Sequence, residues 1–255
     1  MNLKELNLKK IVFTALSIFV IGAVGMTVMG FQSFNSPEKS EEYTKSVPLS
    51  GAKSVEAEIE LGVAELSVTG GAEELLKGFF QFDDDSEKPQ IDYEVDGERG
   101  ELEVSSEEDD SFFNFDIGFN FGKSITEWEL KLNNKVPLHL KVATGVGDSK
   151  LNLSDLNLTG LQIDSGVGDS VIDLSGDWKK SFNVRIDGGV GDTKLIIPKD
   201  AGVRIKVDNG VGEMTMQGLT IDGDYYMNEA YEKSDVKIEI DLSVGVGDVE
   251  VITGV

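Results

Sequence analysis

Beyond residue 50 the chain is written largely in period two. In Ser54–Gly70, "SVEAEIELGVAELSVTG", Val55, Ala57, Ile59 and Leu61 alternate with Glu56, Glu58 and Glu60, and after a turn the alternation resumes through Leu66 and Val68. Half-buried strands carry this pattern, because successive side chains point to opposite faces of a sheet. "GELEVSS" and "TEWELKLNN" repeat it. The stretch that suggests a helix is the short "GGAEELLKGFF", Gly70–Phe80.

From residue 144 onward the alternation is punctuated five times by Gly-Val-Gly-acid. The glycine pairs are Gly145 and Gly147, Gly166 and Gly168, Gly189 and Gly191, Gly210 and Gly212, and Gly245 and Gly247. Their first members are spaced 21, 23, 21 and 35 residues, and the last gap holds an apparent insertion, "DGDYYMNEAYEKS". A period of about 20 residues indicates stacked supersecondary units. One strand precedes each corner and one follows it, so Leu161, Ile163, Val184, Ile186, Val203, Ile205 and Val207 are expected to face one interior. The predicted fold is all-β: a β-solenoid or β-roll of stacked short strands with glycine-rich turns. It divides into an N-terminal β region over 48–134 and a repeat region over 135–255.

Glycine suits a corner where a strand bends into the next, since it tolerates positive φ and leaves no Cβ in the way. The valine between the glycines is expected to point inward. The acid that follows, Asp148, Asp169, Asp192, Glu213 or Asp248, is placed to accept a local backbone N–H and stabilise the turn. Stacked at about 4.8 Å, the same five acids would form a carboxylate ladder that a calcium ion could bridge. The calcium-binding β-roll repeat, G-G-x-G-x-D-x-U-x, is nine residues long and sets its aspartate one position later. Turn capping is therefore the preferred reading, with no metal and no cofactor expected.

The amino-terminal part has a different character. Ile11–Phe31 runs 21 residues without a charge, enough to span about 30 Å of hydrocarbon as a helix. No A-x-A-like cleavage site is evident at its end, which favours an uncleaved anchor over a signal peptide. Lys4, Lys9 and Lys10 precede it, and acids follow. The positive-inside rule then makes 1–10 a cytoplasmic N-terminus, 11–31 the transmembrane anchor and 32–47 a spacer, with the remainder outside the cell. A formal charge of −24 argues against a nucleic-acid partner. With no cysteine in the chain, disulfides, thiolate metal sites and a thiol nucleophile are excluded.

Catalytic signatures are sparse. His139, the only histidine, stands on the polar side of "VPLHLKV", and neither G-x-S-x-G nor G-x-x-x-x-G-K-[ST] occurs. Paired acids leave a cell-wall glycosidase as a distant alternative. Two aromatic segments stand out as partner-binding candidates. Phe113, Phe115, Ile117, Phe119 and Phe121 keep strict period two behind four acids, and Tyr225, Tyr226 and Tyr231 lie in the insertion. The first reads either as a strand covering the core or as a docking stripe.

The segment "EWELKLNNKVPLHLKVATGVGDSKLNLSDLNLTGLQIDSGVGDSVIDLSG", with the earlier "IELGVAELSVTGGAEELLKG" and the later "YYMNEAY", resembles the bacterial toast-rack family. Domains of that family are similar to the C-terminal domain of LiaF-like proteins and to adhesin-like β-solenoids. The resemblance implies a right-handed β architecture outside the membrane and a role in cell-envelope stress in Gram-positive bacteria. It brings no catalytic residues. The expected function is thus a non-enzymatic, single-pass, membrane-anchored interaction module with a protein partner in the envelope. The alternative is an adhesin-like surface protein.

Overall fold

The computed structural model describes residues 41–82, 87–106 and 126–254. The expected anchor at 11–31 and the phenylalanine stripe of Phe113, Phe115, Phe119 and Phe121 lie outside them. Among the described residues no helix is long and apolar enough to cross a membrane.

Every regular element in the described part is a strand. In chain order they are β1 (Glu41–Val47), β2 (Ser54–Val63), β3 (Glu65–Ala72), β4 (Leu76–Phe82), β5 (Pro89–Asp96), β6 (Arg99–Ser106), β7 (Glu127–Asn133), β8 (Leu138–Val146), β9 (Ser149–Asn152) and β10 (Leu158–Val167). There follow β11 (Ser170–Asp173), β12 (Phe182–Val190), β13 (Thr193–Ile197), β14 (Gly202–Val211), β15 (Met214–Met216), β16 (Leu219–Asp222), β17 (Tyr225–Asn228), β18 (Lys237–Val246) and β19 (Val249–Thr253). They form a nine-stranded sheet, β1-β4-β7-β3-β9-β11-β13-β19-β15, and a ten-stranded sheet, β16-β17-β14-β18-β12-β10-β8-β2-β6-β5.

Each corner carries the chain from a long strand of the ten-stranded sheet into a short strand of the nine-stranded one. The resulting coils stack in parallel register: Ala57, Leu140, Leu161, Val184, Ile240 and Ile205 form one row of partners. All six are buried, and they meet the row Val68, Leu151, Ile172, Leu195 and Val251 in one core. The expected inward set is found inside, with Val207 partly buried near the end of the stack. Stacking order departs from chain order. The fifth repeat, β18–β19, lies between the third, β12–β13, and the fourth, β14–β15.

Two expectations fail here. Gly70–Phe80 is not helical: β3 ends at Ala72 and β4 begins at Leu76. Alternation of buried Leu76, Gly78, Phe80 and Phe82 prevails over local helix propensity, and buried Asn133 braces the turn by donating Nδ2 to the carbonyls of Ala72, Glu73 and Glu74. Residues 41–47, expected in the spacer, form β1, held antiparallel to β4 with Tyr43 stacked on Phe80. Phe80 in turn packs edge-on against Trp128 at 5.2 Å. This aromatic group closes one end of the core.

Candidate functional site

The distinctive surface is the line of corners. There are six rather than five, because Gly62-Val63-Ala64-Glu65 between β2 and β3 stands in register with the first Gly-Val-Gly-Asp. Alanine in place of the second glycine hid this unit in the sequence. Along the stack the valines pair in the order Val63, Val146, Val167, Val190, Val246 and Val211. They point outward, contrary to expectation. Val63 is 58% exposed and Val211 68%, while Val167 and Val190 are half-buried. In the five units that keep it, the second glycine has φ near +140° to +153°, outside the strand range, whereas Val63, followed by Ala64, faces outward without a positive φ at the corner.

That glycine is also a close-approach site. A Cβ on Gly168 would fall 2.1 Å from the carbonyl oxygen of Gly147, and one on Gly147 would fall 1.9 Å from that of Ala64. Neighbouring backbones occupy the space a side chain would need.

The acids form a ladder of a kind the sequence did not suggest. Asp148 Oδ1 accepts the N–H of Asp169 at 2.9 Å, Asp169 Oδ1 that of Asp192, Asp192 Oδ1 that of Asp248, and Asp248 Oδ1 that of Glu213, each of the last three at 2.8 Å. The caps therefore run between coils, across 21 to 56 residues of sequence, and not within one turn. Charge-assisted acceptance of this kind ties coil to coil. Among the described residues no three His, Asp or Glu side chains converge as a metal-binding group.

The outer face of the ten-stranded sheet is polar. Glu56 bridges Arg99 and Lys141, the latter at 3.1 Å, and Lys141 also approaches Glu58 at 3.8 Å. The hydrogen bond from Lys141 holds the Glu56 carboxyl below its ordinary range, with help from Arg99 and against partial desolvation. Lys141 is raised by the same bond and by Glu58. His139 lies on this face, half-buried, its ring over Gly160, where a Cβ would come within 2.4 Å of Nδ1.

The insertion tyrosines are brought together only in part. Arg204 lies over the rings of Tyr225 at 4.6 Å and Tyr231 at 5.4 Å, and its Nε donates to Glu239 at 2.7 Å. The Tyr231 hydroxyl donates to the same carboxylate at 2.8 Å, and burial, followed by that bond, pushes its pKa up. Lys237 covers Tyr231 as well, at 4.4 Å. Tyr226 packs on the core. Asn228 went unnoticed in the sequence although it is buried and braces two segments, donating to the carbonyls of Pro198 and Ala201 and accepting from Val203 N.

An all-β chain whose two sheets are joined by a stacked line of glycine corners, with a carboxylate ladder along it, defines a repeat scaffold. The comparisons agree. Residues 36–196 match the N-terminal domain of toast-rack proteins, and residues 145–251 match the C-terminal region of LiaF, described as a cell wall-active antibiotics response. The chain belongs to the toast-rack family. A proposed cell adhesion protein from Clostridium sporogenes ATCC 15579 is 35% identical over 85% of this chain and 100% of that one, and superposes with a TM-score of 0.80. A proposed adhesin from Bacteroides fragilis NCTC 9343 is 12% identical over 84% of this chain and 98% of that one, with a TM-score of 0.22. None of the curated proteins matches the chain.

Proposed function

We propose that the chain is a non-enzymatic interaction module of the cell envelope, anchored through residues 11–31 with its β-solenoid outside the membrane, that takes part in envelope-stress sensing or regulation. The observation that carries this reading is the match of residues 145–251 to the LiaF C-terminal region, which spans all five Gly-Val-Gly-acid corners. The corner line suits a display role: its backbone is fixed by inter-coil bonds while its valines and carboxylates face outward. Deleting the gene in its own host and exposing the cells to a cell-wall-active antibiotic tests the proposal. The expected result is an altered threshold for induction of envelope-stress genes, restored by the wild-type copy.

The adhesin-like reading rests on the Clostridium sporogenes relative. Unchanged stress induction in the deletion strain, together with loss of attachment to surfaces, would replace the first proposal by this one.

A further inference from the structure

One stretch of the polar face of the ten-stranded sheet is hollowed. Across β8, β10, β12 and β18 the outward row reads His139, Gly160, Asn183 and Glu239. Gly160 contributes no side chain, and the His139 ring leans into the space it leaves: a Cβ there would fall 2.4 Å from Nδ1. A register shift between Leu158 and Gly160 sets Thr159 aside as an extra residue and brings Gly160 beside that ring. The resulting trough crosses four strands, about 14 Å for three steps of about 4.8 Å. One bank is Gln162, Arg185 and Asp241, successive partners in the next outward row. The other is Thr159, Ser181 and Lys237. The hollow holds about 720 Å³, within the range of small-ligand sites.

Its lining is polar and electrically balanced. Arg185 and Lys237 stand against Glu239 and Asp241, two charges of each sign in a chain whose net charge is −24. Beyond β8 the same face is strongly acidic, with Glu56, Glu58, Glu101, Glu103, Asp92 and Glu94. Leu161, Phe182 and Val184 lie beneath the floor, buried in the core, so the groove offers no apolar wall to a lipid or a hydrophobic peptide. Hydrogen-bonding capacity is open in both senses. Asn183 is exposed, and among the described residues neither its amide nor the His139 ring has a hydrogen-bond partner. Gln162 gives Nε2 to Asp164 and keeps Oε1, while Arg185 gives Nε to Asp187 and keeps its terminal N–H groups.

We propose that this groove binds an uncharged linear glycan of N-acetylated amino sugars, lying along the stack with one ring over each strand. A pyranose ring in an equatorially linked chain advances by about the spacing of neighbouring strands, so successive rings meet equivalent side chains. Each sugar hydroxyl both donates and accepts, which suits a lining of mixed sense, and an acetamido group can exchange two hydrogen bonds with the Asn183 amide on the floor. A lining whose charges already cancel favours a ligand that brings none, since a bound ion would lose its hydration without a counter-charge. The inference rests on the reading that the domain lies outside the membrane, within reach of wall polymers.

His139 is the only histidine, so isotopic labelling of histidine gives the signals of one ring at the end of the groove. In the full-length protein in detergent, titration with chitotetraose, the linear tetramer of N-acetylglucosamine, is expected to shift those signals saturably with a dissociation constant of about 1 mM or lower. Asn183→Trp places an aromatic on an exposed strand position and fills the trough; it is expected to abolish the shift with the circular dichroism spectrum unchanged. The near-isosteric Asn183→Asp keeps the shape, loses the amide donor and is expected to weaken binding at least about threefold. Glu103→Trp, on the acidic stretch of the same face, should bind as the wild type does. Wild-type signals that stay in place at roughly tenfold higher tetramer concentration overturn the proposal. So does a folded Asn183 variant that binds as tightly as the wild type, or an equal loss in Glu103→Trp. Binding is read on purified protein, so its failure is distinguishable from failure of the deletion test, which reads stress induction in cells.

Discussion

Asp192 Oδ1 accepts the backbone N–H of Asp248 at 2.8 Å although 56 residues separate them. This bond fastens the fifth repeat into the stack between the third and the fourth. A charge-assisted bond to a backbone amide contributes about 1.5–3 kcal/mol when shielded and less at an exposed corner. Asp192→Ala is therefore expected to lower the urea midpoint by an amount corresponding to about 1 kcal/mol. Glu213 ends the ladder, and among the described residues no backbone N–H reaches its carboxylate. Glu213→Ala should leave the midpoint unchanged. Equal losses in the two variants would mean that the ladder bonds do not hold the coils together.

The same ladder bears on calcium. Each carboxylate from Asp148 to Asp248 already accepts an N–H from the next coil, so part of its lone-pair capacity is committed and its charge is partly stabilised. Thermal midpoints in millimolar calcium and in chelator are expected to coincide. A rise of several degrees with calcium would show that a ligand binds the folded state and would restore the cation-bridged ladder.

Gly168 and Ala64 occupy equivalent corners with opposite tolerance. Gly168→Ala would set a methyl 2.1 Å from the Gly147 carbonyl oxygen at a φ of +140°, and both the clash and the backbone strain destabilise. The expected loss is about 3 kcal/mol or more. Ala64 already carries a Cβ on the first of the six corners, without a positive φ. Ala64→Gly should cost no more than about 1 kcal/mol, mainly from added freedom of the unfolded chain. Chemical denaturation of the two variants provides the check, and a mild Gly168→Ala would show that the corner can relax.

Much of the scaffold was legible because period two and a repeated tetrapeptide are direct records of strand and corner. What escaped was whatever depends on neighbours distant in sequence. The six valines look like inward residues by alternation, but the passage from one sheet into the other interrupts the alternation at the corner, with a positive-φ glycine in five units and Ala64 in the sixth. The first corner was hidden because Ala64 stands in place of its second glycine. The order of the last two coils has no local signature at all. Asn133 and Asn228 were passed over because a polar residue beside a turn looks ordinary until its carbonyl partners from other segments are in place. Of the candidate aromatic surface, Tyr225 and Tyr231 proved to enclose Arg204, a cation 21 and 27 residues away in sequence.

The pairing of Glu56 with Lys141 leads to a pH dependence with a defined sign. The Glu56 carboxyl is held below its ordinary value, first by the hydrogen bond from Lys141. Its contribution to stability is present above the ordinary glutamate pKa of about 4.3 and is lost as pH falls through the lower folded value. Lys141 is raised, so its side of the pair contributes fully below the ordinary lysine pKa of about 10.4 and is lost as pH rises through the higher folded value. Both side chains remain roughly one-third exposed, which limits the pair to about 1 kcal/mol or less. Lys141→Met keeps most of the aliphatic stem and removes the charge. Its urea midpoint should lie below wild type near pH 7, and the gap should close at a pH acidic enough to protonate Glu56 in both proteins. A gap of constant size between those two pH values would assign the effect of Lys141 to packing of its stem on the sheet, and the ion pair would drop out of the account.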